Sequence, residues 1–220
     1  MERKTFGFEL EFINLDKNIF IKKLKESGFP VYNPRYNTSK TSWRVVEDRS
    51  LVNNIIENGF TGELVSPILH GQSGIEAIKA VVGLLKTTGA KVNTSCGLHV
   101  HVSVKGFKLN QIKNLVLSYS KNEEEIDKRM KLSRRLNNNK YCLSMNTLLG
   151  DPNINTKFMR ANTKTRLADS FGTRYLKLNL KSIQLFDTIE FRQHHASLDS
   201  QEVISWIQYC LDFVDKEKGN

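Results

Sequence analysis

Three short segments alternate strictly between apolar and polar residues, and this period of two constrains the fold more than any other feature of the sequence. The segments are FGFELEF at 6–12, LHVHVSV at 98–104 and TIEFRQH at 188–194. Successive side chains of a β-strand point to opposite faces, so each segment is predicted to be a strand with one apolar and one polar face. Such strands suit a sheet that packs helices on one face and holds a polar site on the other.

The polar faces of the three predicted strands share side chains that can bind metals and anions. They are Glu9 and Glu11 on the first strand, His99, His101 and Ser103 on the second, and Glu190, Arg192 and His194 on the third. Each element alone also fits a solvated strand face or packed, hydrogen-bonded histidines. Carboxylates two residues apart repel one another unless a cation neutralises them, so the combination favours a site with arginines or a divalent ion.

The types of ligand indicate which metal such a site would take. Carboxylate oxygens favour Mg²⁺ or Mn²⁺, whereas a structural zinc site would use sulfur or several imidazoles. A site of carboxylates with one imidazole can hold two ions, and ions held in this way commonly clamp the phosphates of a nucleotide. The sequence has no Walker-type loop and no GxGxxG motif, so metals and arginines would have to bind the phosphates.

Two further carboxylates lie beside apolar, strand-like runs. Asp48 lies in WRVVEDRSL and Glu63 lies in TGELVSP. The simplest alternative for Glu63 is an exposed strand residue. Asp48 is followed closely by Ser50, so a helix cap or a turn explains it equally well without any chemistry.

Helical periodicity fills much of the remaining chain. Helices are predicted over 16–28, 73–89, 110–129 and 200–214, and the second has Ser73 and Glu76 at the spacing of a capping box. No repeat and no linker rich in proline, glycine or serine interrupts the sequence. A single domain over residues 1–220 is therefore predicted.

Composition adds one anomaly, a formal charge of +10 over 220 residues. A basic surface attracts anions such as nucleotides, acidic peptides or nucleic acid. The three cysteines are scattered, without CxxC spacing, and are expected to be reduced thiols. The sequence shows no apolar run of the length of a signal peptide's core or a membrane span, so we expect a cytoplasmic protein without a membrane partner. Its richness in lysine, asparagine and isoleucine suits a phage or an AT-rich bacterium.

Five blocks, taken in order, resemble the amidoligase family within the carboxylate-amine ligases that are similar to glutamine synthetase and glutamate-cysteine ligase. The resemblance extends over nearly the whole chain. The blocks are FGFELEF, WRVVEDRS at 43–50, GELVSP at 62–67, CGLHVHVS at 96–103, and the stretch from RYLKLNL at 174–180 to TIEFRQHHASLD at 188–199.

The resemblance implies roles for particular residues. The ligands of two divalent ions would be Glu9, Glu11, Glu63, His99 and Glu190. The residues implied in catalysis are Asp48, which would bind the amine or assist a metal, together with Glu63 and Arg192. The residues implied in binding phosphate, nucleotide or the carboxylate substrate are His101, Arg174, Arg192 and Arg135. Arg134 and Arg135, with Asn139 and Tyr141, resemble the family's segment of arginine followed by Tyr-Cys, and either arginine fits the pattern.

The resemblance also implies a reaction and a fold. The reaction transfers a phosphoryl group from ATP to a carboxylate, with Mg²⁺ or Mn²⁺, and an amine then attacks the acyl phosphate. Its demands match the residues found, because metals and arginines neutralise phosphate charge and an acidic group takes a proton from the amine. The implied fold is α+β, a curved antiparallel sheet with helices packed on its back, as in glutamine synthetase. The expected partners are ATP, a carboxylate and an amine.

Two other functions fit parts of the pattern. Histidines with carboxylates also suit a zinc-dependent hydrolase, which would need no nucleotide. The positive charge suits a nucleic-acid-binding protein on a ligase-like scaffold, whose binding would depend strongly on salt and would survive loss of Glu190. Cys96, a rival nucleophile, has no evident base beside it and is expected to have a packing role.

Overall fold

The computed structural model describes residues 4–32, 40–52 and 59–218. The strands in these ranges are β1 (Thr5–Leu15), β2 (Arg44–Glu47), β3 (Phe60–Val65), β4 (Leu69–His70), β5 (Gly97–Ser103), β6 (Leu178–Asn179) and β7 (Thr188–His195). The helices are α1 (Lys17–Glu26), α2 (Gly71–Thr87), α3 (Leu109–Lys128), α4 (Met145–Leu149), α5 (Pro152–Arg160), α6 (Lys164–Asp169), α7 (Ser182–Phe186) and α8 (Ser200–Lys218).

The strands of the described ranges belong to one open sheet. Their order is β2-β3-β1-β5-β7-β6, and β4 pairs with β1. The pairs β1–β3, β1–β4, β2–β3 and β6–β7 are all antiparallel. The prediction of a mixed helix and sheet protein with an antiparallel sheet is confirmed, whereas the glutamine-synthetase-like arrangement stays a prediction.

The chain also divides into two compact units. The first consists of Met1–Leu98 and Ala196–Gln208, and the second consists of His99–His195 and Tyr209–Asn220. The chain passes from one unit to the other at three points, which lie within β5, directly after β7 and within α8. The single domain predicted from the sequence stays a prediction.

In the first unit, the alternating segment 6–12 lies within β1, and its apolar face forms a core. Phe6, Phe8, Leu10 and Phe12 are all buried. Trp43 packs edge-on against Phe8, with ring centroids 5.7 Å apart. Aromatic pairs in this geometry add to the free energy gained by burial, so these rings hold the segment before β2 against β1.

The helices of the first unit begin at different signals. The Asp16 carboxylate accepts hydrogen bonds from the backbone N–H groups of Asn18 and Ile19 and caps α1. The predicted capping box of α2 is wrong, because this helix begins at Gly71 and its N-cap is His70. Ser73 instead donates from its hydroxyl to the carbonyl of His70, inside the first turn.

In the second unit, a group of three aromatic rings joins α3, β7 and the end of α8. Tyr119, Phe191 and Phe213 have ring centroids 5.9, 6.0 and 6.1 Å apart. The short helices α4, α5 and α6 follow α3, and the sequence analysis did not predict them. They begin at side-chain caps, with Ser144, Asp151 and Thr163 accepting hydrogen bonds from backbone N–H groups of the first turn. Among the described residues, no helix combines the length and the apolar character needed to cross a bilayer.

Candidate functional site

Three glutamates of the first unit share one face of neighbouring strands. Glu11 on β1 lies directly opposite Glu63 on β3, and Glu9 lies two residues earlier on β1. Residues that face one another in an antiparallel pair, and residues two apart, project from the same side of a sheet. We call Glu9, Glu11 and Glu63 the carboxylate cluster. The structure thus brings together three of the five metal ligands that the resemblance implies.

The electrostatics of the carboxylate cluster are unfavourable for three negative charges. The pKa of Glu63 is raised to about 8, first by burial and then by repulsion from Glu9, Glu11 and Asp48. Arg44 on β2 acts in the opposite direction and lowers this pKa. Burial and like charges both disfavour the ionised carboxyl, so Glu63 holds its proton at neutral pH unless further positive charge arrives.

Backbone groups hold one member of the cluster, Glu11, and a nearby carboxylate, Asp48, in place. The Glu11 carboxylate, which is 8% exposed, accepts a 2.5 Å hydrogen bond from the backbone N–H of Gly97. Asp48 follows β2, and its carboxylate accepts a 2.8 Å hydrogen bond from the backbone N–H of Ser50. Asp48 therefore stabilises a turn after β2. Its negative charge also contributes to the raised pKa of Glu63.

Gly62, the residue before Glu63, allows β2 and β3 to pair closely. A Cβ atom at this position would lie 2.1 Å from the carbonyl oxygen of Val46, which is far inside van der Waals contact. Val46 lies opposite Glu63 in the β2–β3 pair. The absence of a side chain at Gly62 therefore keeps β2, and Arg44 with it, in register beside the carboxylate cluster.

A second cluster lies in the second unit, on the polar face of β5 and β7. Its members are His99, His101, Glu190 and Arg192, and we call it the His–Glu–Arg cluster. The Arg192 guanidinium donates a 2.5 Å hydrogen bond to Oε1 of Glu190. The nearest imidazole nitrogens of His99 and His101 lie 3.6 and 3.9 Å from the same oxygen. Three predicted site residues thus lie around one carboxylate oxygen of a fourth, Glu190.

Two residues outside the predicted set orient this cluster. Asn179 lies opposite Glu190 in the β6–β7 pair, and its amide donates a 2.6 Å hydrogen bond to Oε2 of Glu190. The Thr188 hydroxyl lies 3.1 Å from Nδ1 of His101. Both contacts fix the orientation of a predicted site side chain, which is how supporting residues usually act at a metal or anion site. The third polar-face histidine, His194, instead stacks on His195.

The second unit also contains a buried ionic network, which is connected to Arg192 through the backbone of Lys177. Lys177 is 0% exposed, and its ammonium lies 2.8 Å from Oε1 of Glu123 and 2.7 Å from Oδ1 of Asp127. Gln193 donates to Asp127 and accepts from the hydroxyl of Tyr119. We call Lys177, Glu123, Asp127, Gln193 and Tyr119 the Lys177 cluster.

The Lys177 cluster also supports the backbone around the site. Glu123 accepts hydrogen bonds from the first N–H groups of α4, and Asp127 accepts one from the N–H of Leu136. The backbone carbonyl of Lys177 accepts a 2.8 Å hydrogen bond from the N–H of Arg192. A buried charge is stable only when it is paired and fully hydrogen-bonded, and these contacts satisfy that condition.

The remaining predicted arginines have other described contacts. Arg135 donates from its guanidinium to the carbonyls of Met130 and Lys128. Arg174 is exposed, and its guanidinium lies 5.2 Å from the ring centroid of Tyr175. Arg134 is 3% exposed. Its charge, with those of Lys177 and Arg192, opposes the rise that burial causes in the pKa of Cys142.

Sequence reasoning missed several of these residues, although a signal existed for some. Asn179 and Lys177 alternate with Leu176, Leu178 and Leu180 in the same period of two that identified the other strands. Arg44 likewise alternates with the buried residues Trp43 and Val45. The partners of Lys177 lie on α3, where an acidic run resembles an ordinary solvated helix face.

The chain was also compared with known proteins. Residues 2–214 match the model of a family described as "Putative amidoligase enzyme". No curated protein matches the chain. The description of the family indicates an enzyme of the ligase type that forms amide bonds. Because the match covers nearly the whole sequence, the chain belongs to this amidoligase family.

Proposed function

We propose that the protein is an ATP- and Mg²⁺-dependent ligase that joins a carboxylate to an amine through an acyl phosphate. Family membership supports the formation of an amide bond. The observation that carries the finer proposal is the carboxylate cluster of the first unit, where burial and three neighbouring carboxylates raise the pKa of Glu63 to about 8. A divalent cation would relieve this repulsion and take oxygen ligands that suit Mg²⁺ or Mn²⁺.

The fit to such an ion rests on the donor set. Glu9, Glu11 and Glu63 are the residues of the first unit that would hold a divalent ion, and His99 with Glu190 are those of the second unit. When bound, the ion supplies positive charge for phosphate oxygens. Binding to Glu63 would also displace its proton, so we expect affinity for Mg²⁺ to rise with pH.

In the second unit, Arg192 and His101 are proposed to bind a phosphate or carboxylate oxygen. Arg192 has a permanently charged guanidinium whose planar fork of N–H donors suits phosphate and carboxylate oxygens, and this guanidinium lies 2.5 Å from Oε1 of Glu190. Of the two arginines before Tyr141, Arg135 keeps its proposed role in binding an anion, and Arg134 stays the alternative. Arg174 keeps its proposed role in nucleotide binding, from an exposed position.

The proposed reaction has two steps. An oxygen of the substrate carboxylate attacks the γ-phosphorus of ATP, ADP leaves, and an acyl phosphate forms. The amine nitrogen then attacks the acyl carbon, phosphate leaves, and the nitrogen loses one proton. Asp48 is proposed to bind the amine or to assist a metal, and Glu63 in its ionised form is proposed to accept a proton. Arg192 is proposed to stabilise charge on the transferred phosphoryl group.

Thermal unfolding with Mg²⁺ and a non-hydrolysable ATP analogue tests the nucleotide site without knowledge of the substrates. Ligand at about 100 times its dissociation constant should stabilise the fold by roughly 2.7 kcal/mol. The Glu190→Gln variant should lose most of this shift, whereas Glu124→Gln, an exposed position on α3, should keep it. A zinc-containing protein with no response to any nucleotide would instead indicate the hydrolase.

A further inference from the structure

Nearly all of the net positive charge lies in the second unit. That unit contains 20 lysines and arginines against 11 aspartates and glutamates, whereas the first contains 13 against 12. The excess is concentrated in residues 128–181, which hold 13 basic and two acidic side chains. We call this stretch the basic segment. Such local asymmetry is the electrostatic footprint expected of a surface that binds a polyanion.

Both acidic residues of the basic segment have structural tasks. Asp151 caps α5 by accepting hydrogen bonds from the N–H groups of Asn153 and Ile154. Asp169 pairs with Lys181 at 2.6 Å. Eight of the 13 cations are exposed, so the segment presents a large excess of positive charge to solvent.

Two tyrosines within the basic segment lie against each other, and each has a cation on its ring. The rings of Tyr141 and Tyr175 are half-buried, with centroids 5.3 Å apart at an interplanar angle of 74°. The Lys140 ammonium lies 5.0 Å from the centroid of Tyr141, and the Arg174 guanidinium lies 5.2 Å from that of Tyr175. We call these four residues the tyrosine–cation cluster.

We propose that the tyrosine–cation cluster binds single-stranded nucleic acid, with the rest of the basic segment attracting its phosphates. Aromatic rings next to cations are the usual means of binding single strands, because bases stack on the rings while lysine and arginine contact the backbone. A polymer with one phosphate per nucleotide matches the spread of positive charge along 54 residues better than a single small anion does. This binding goes beyond the proposed ligase reaction and does not require it.

The cluster is firmly placed by the backbone of the second unit. The N–H of Leu143 donates a 2.9 Å hydrogen bond to the carbonyl of Tyr175, and the N–H of Lys177 donates one of equal length to the carbonyl of Leu143. The two strands of chain that carry the tyrosines are therefore tied together. A platform held in this way can accept a base without first being ordered, which lowers the entropic cost of binding.

Fluorescence anisotropy with labelled single-stranded RNA and DNA of about 20 nucleotides tests the proposal, measured over a range of salt concentrations. The logarithm of the association constant should fall linearly with that of the salt concentration, by about 0.7 for each phosphate contacted. The double variant Lys140→Ala/Arg174→Ala should bind more weakly, with a slope smaller by about 1.4. The control Lys22→Ala/Lys25→Ala, which removes two exposed cations from α1, should change neither.

A second pair of variants separates stacking from charge. Tyr141→Phe keeps the ring and should bind like the original protein. Tyr141→Leu removes the ring and should lose roughly fivefold to a hundredfold in affinity, as expected for one lost stacking contact. Thermal unfolding of both variants checks that they fold. Glu190→Gln should bind nucleic acid normally, which keeps this result independent of the ligase proposal.

Four outcomes would overturn the proposal. One is no binding at about 50 mM salt, where phosphate contacts are strong. Another is equal weakening by the Lys22→Ala/Lys25→Ala control. A third is competition by Mg²⁺ with the ATP analogue that persists in the Arg174→Ala variant, because it would assign the tyrosines themselves to a nucleotide site. The last is tighter binding of phosphatidylserine vesicles than of RNA or DNA, which would indicate a membrane surface.

Discussion

The carboxylate cluster of the first unit and the Lys177 cluster of the second use the same chemical groups with opposite balance. In the Lys177 cluster, two carboxylates share one fully buried ammonium and accept hydrogen bonds from four other groups. In the carboxylate cluster, burial and then repulsion from neighbouring acids raise the pKa of Glu63 to about 8, and Arg44 opposes this rise only in part. A balanced cluster stabilises a fold, whereas an unbalanced one is prepared for a ligand.

The largest effect should come from unbalancing the Lys177 cluster. Lys177→Met leaves two carboxylates buried without their cation, and it should lower the free energy of unfolding by about 3–5 kcal/mol in urea denaturation. The control is Lys181→Met, which breaks a partly exposed pair with Asp169 and should cost less than about 1 kcal/mol. Similar losses for the two variants would contradict the structural role of the network.

Removing an acidic group from the carboxylate cluster should instead raise the free energy of unfolding. The folded pKa of Glu63, about 8, exceeds the ordinary value of 4.5. The folded protein therefore holds a proton that the unfolded chain releases, and its stability falls as pH rises between these values. In metal-free protein, Glu63→Gln should abolish this loss. The difference between the two pKa values corresponds to about 5 kcal/mol, and screening by solvent around this half-buried side chain should reduce the gain in stability to about 3 kcal/mol above pH 8, with little difference near pH 4.5.

Chemical denaturation at several pH values in EDTA measures this difference. Glu76→Gln provides a matched control, because Glu76 is an exposed glutamate of α2 in the same unit. Its stability should follow that of the original protein at every pH. Parallel profiles for Glu63→Gln and the original protein would show that Glu63 is ionised at neutral pH, and the comparison of the two clusters would fail.

The smallest effect should come from Arg44, a cation that acts on Glu63 of the carboxylate cluster. Arg44→Met removes a charge that lowers the pKa of Glu63, so this pKa should rise further. The linked change in free energy should be below about 1 kcal/mol, because Arg44 is only half-buried and solvent screens its charge. Carbon NMR titration of the glutamate carboxyls measures it, and a lower pKa in the variant would refute the role of Arg44.

The sequence predicted the strands of the site well because their signal is local. Alternation alone placed Glu9 and Glu11 on one face of β1 and His99 and His101 on one face of β5. The pairing of Glu11 with Glu63 required a register between strands about 50 residues apart, which no local pattern encodes. The resemblance to the family predicted Glu63 as a site residue, whereas the alternation of apolar and polar residues did not.

Lys177 shows why the buried ionic network could not be predicted from the sequence. A lysine is almost never fully buried, so its place in the core depends on Glu123 and Asp127, which lie 54 and 50 residues away. The helices α4 to α6 were missed because they are short and their stretch of chain is polar. Their caps follow simple rules, but the rules apply only once a helix is known to begin there.

The aromatic group of Tyr119, Phe191 and Phe213 has a consequence for synthesis. Phe213 belongs to the same compact unit as residues 99–195, yet it lies near the end of α8. During translation, domains generally fold as their residues emerge from the ribosome. The second unit cannot complete its core until residue 213 has emerged, so Lys177 and its acidic partners are made well before Phe213, the last ring of this aromatic group. Nascent chains of this protein would therefore be expected to engage chaperones until α8 is finished.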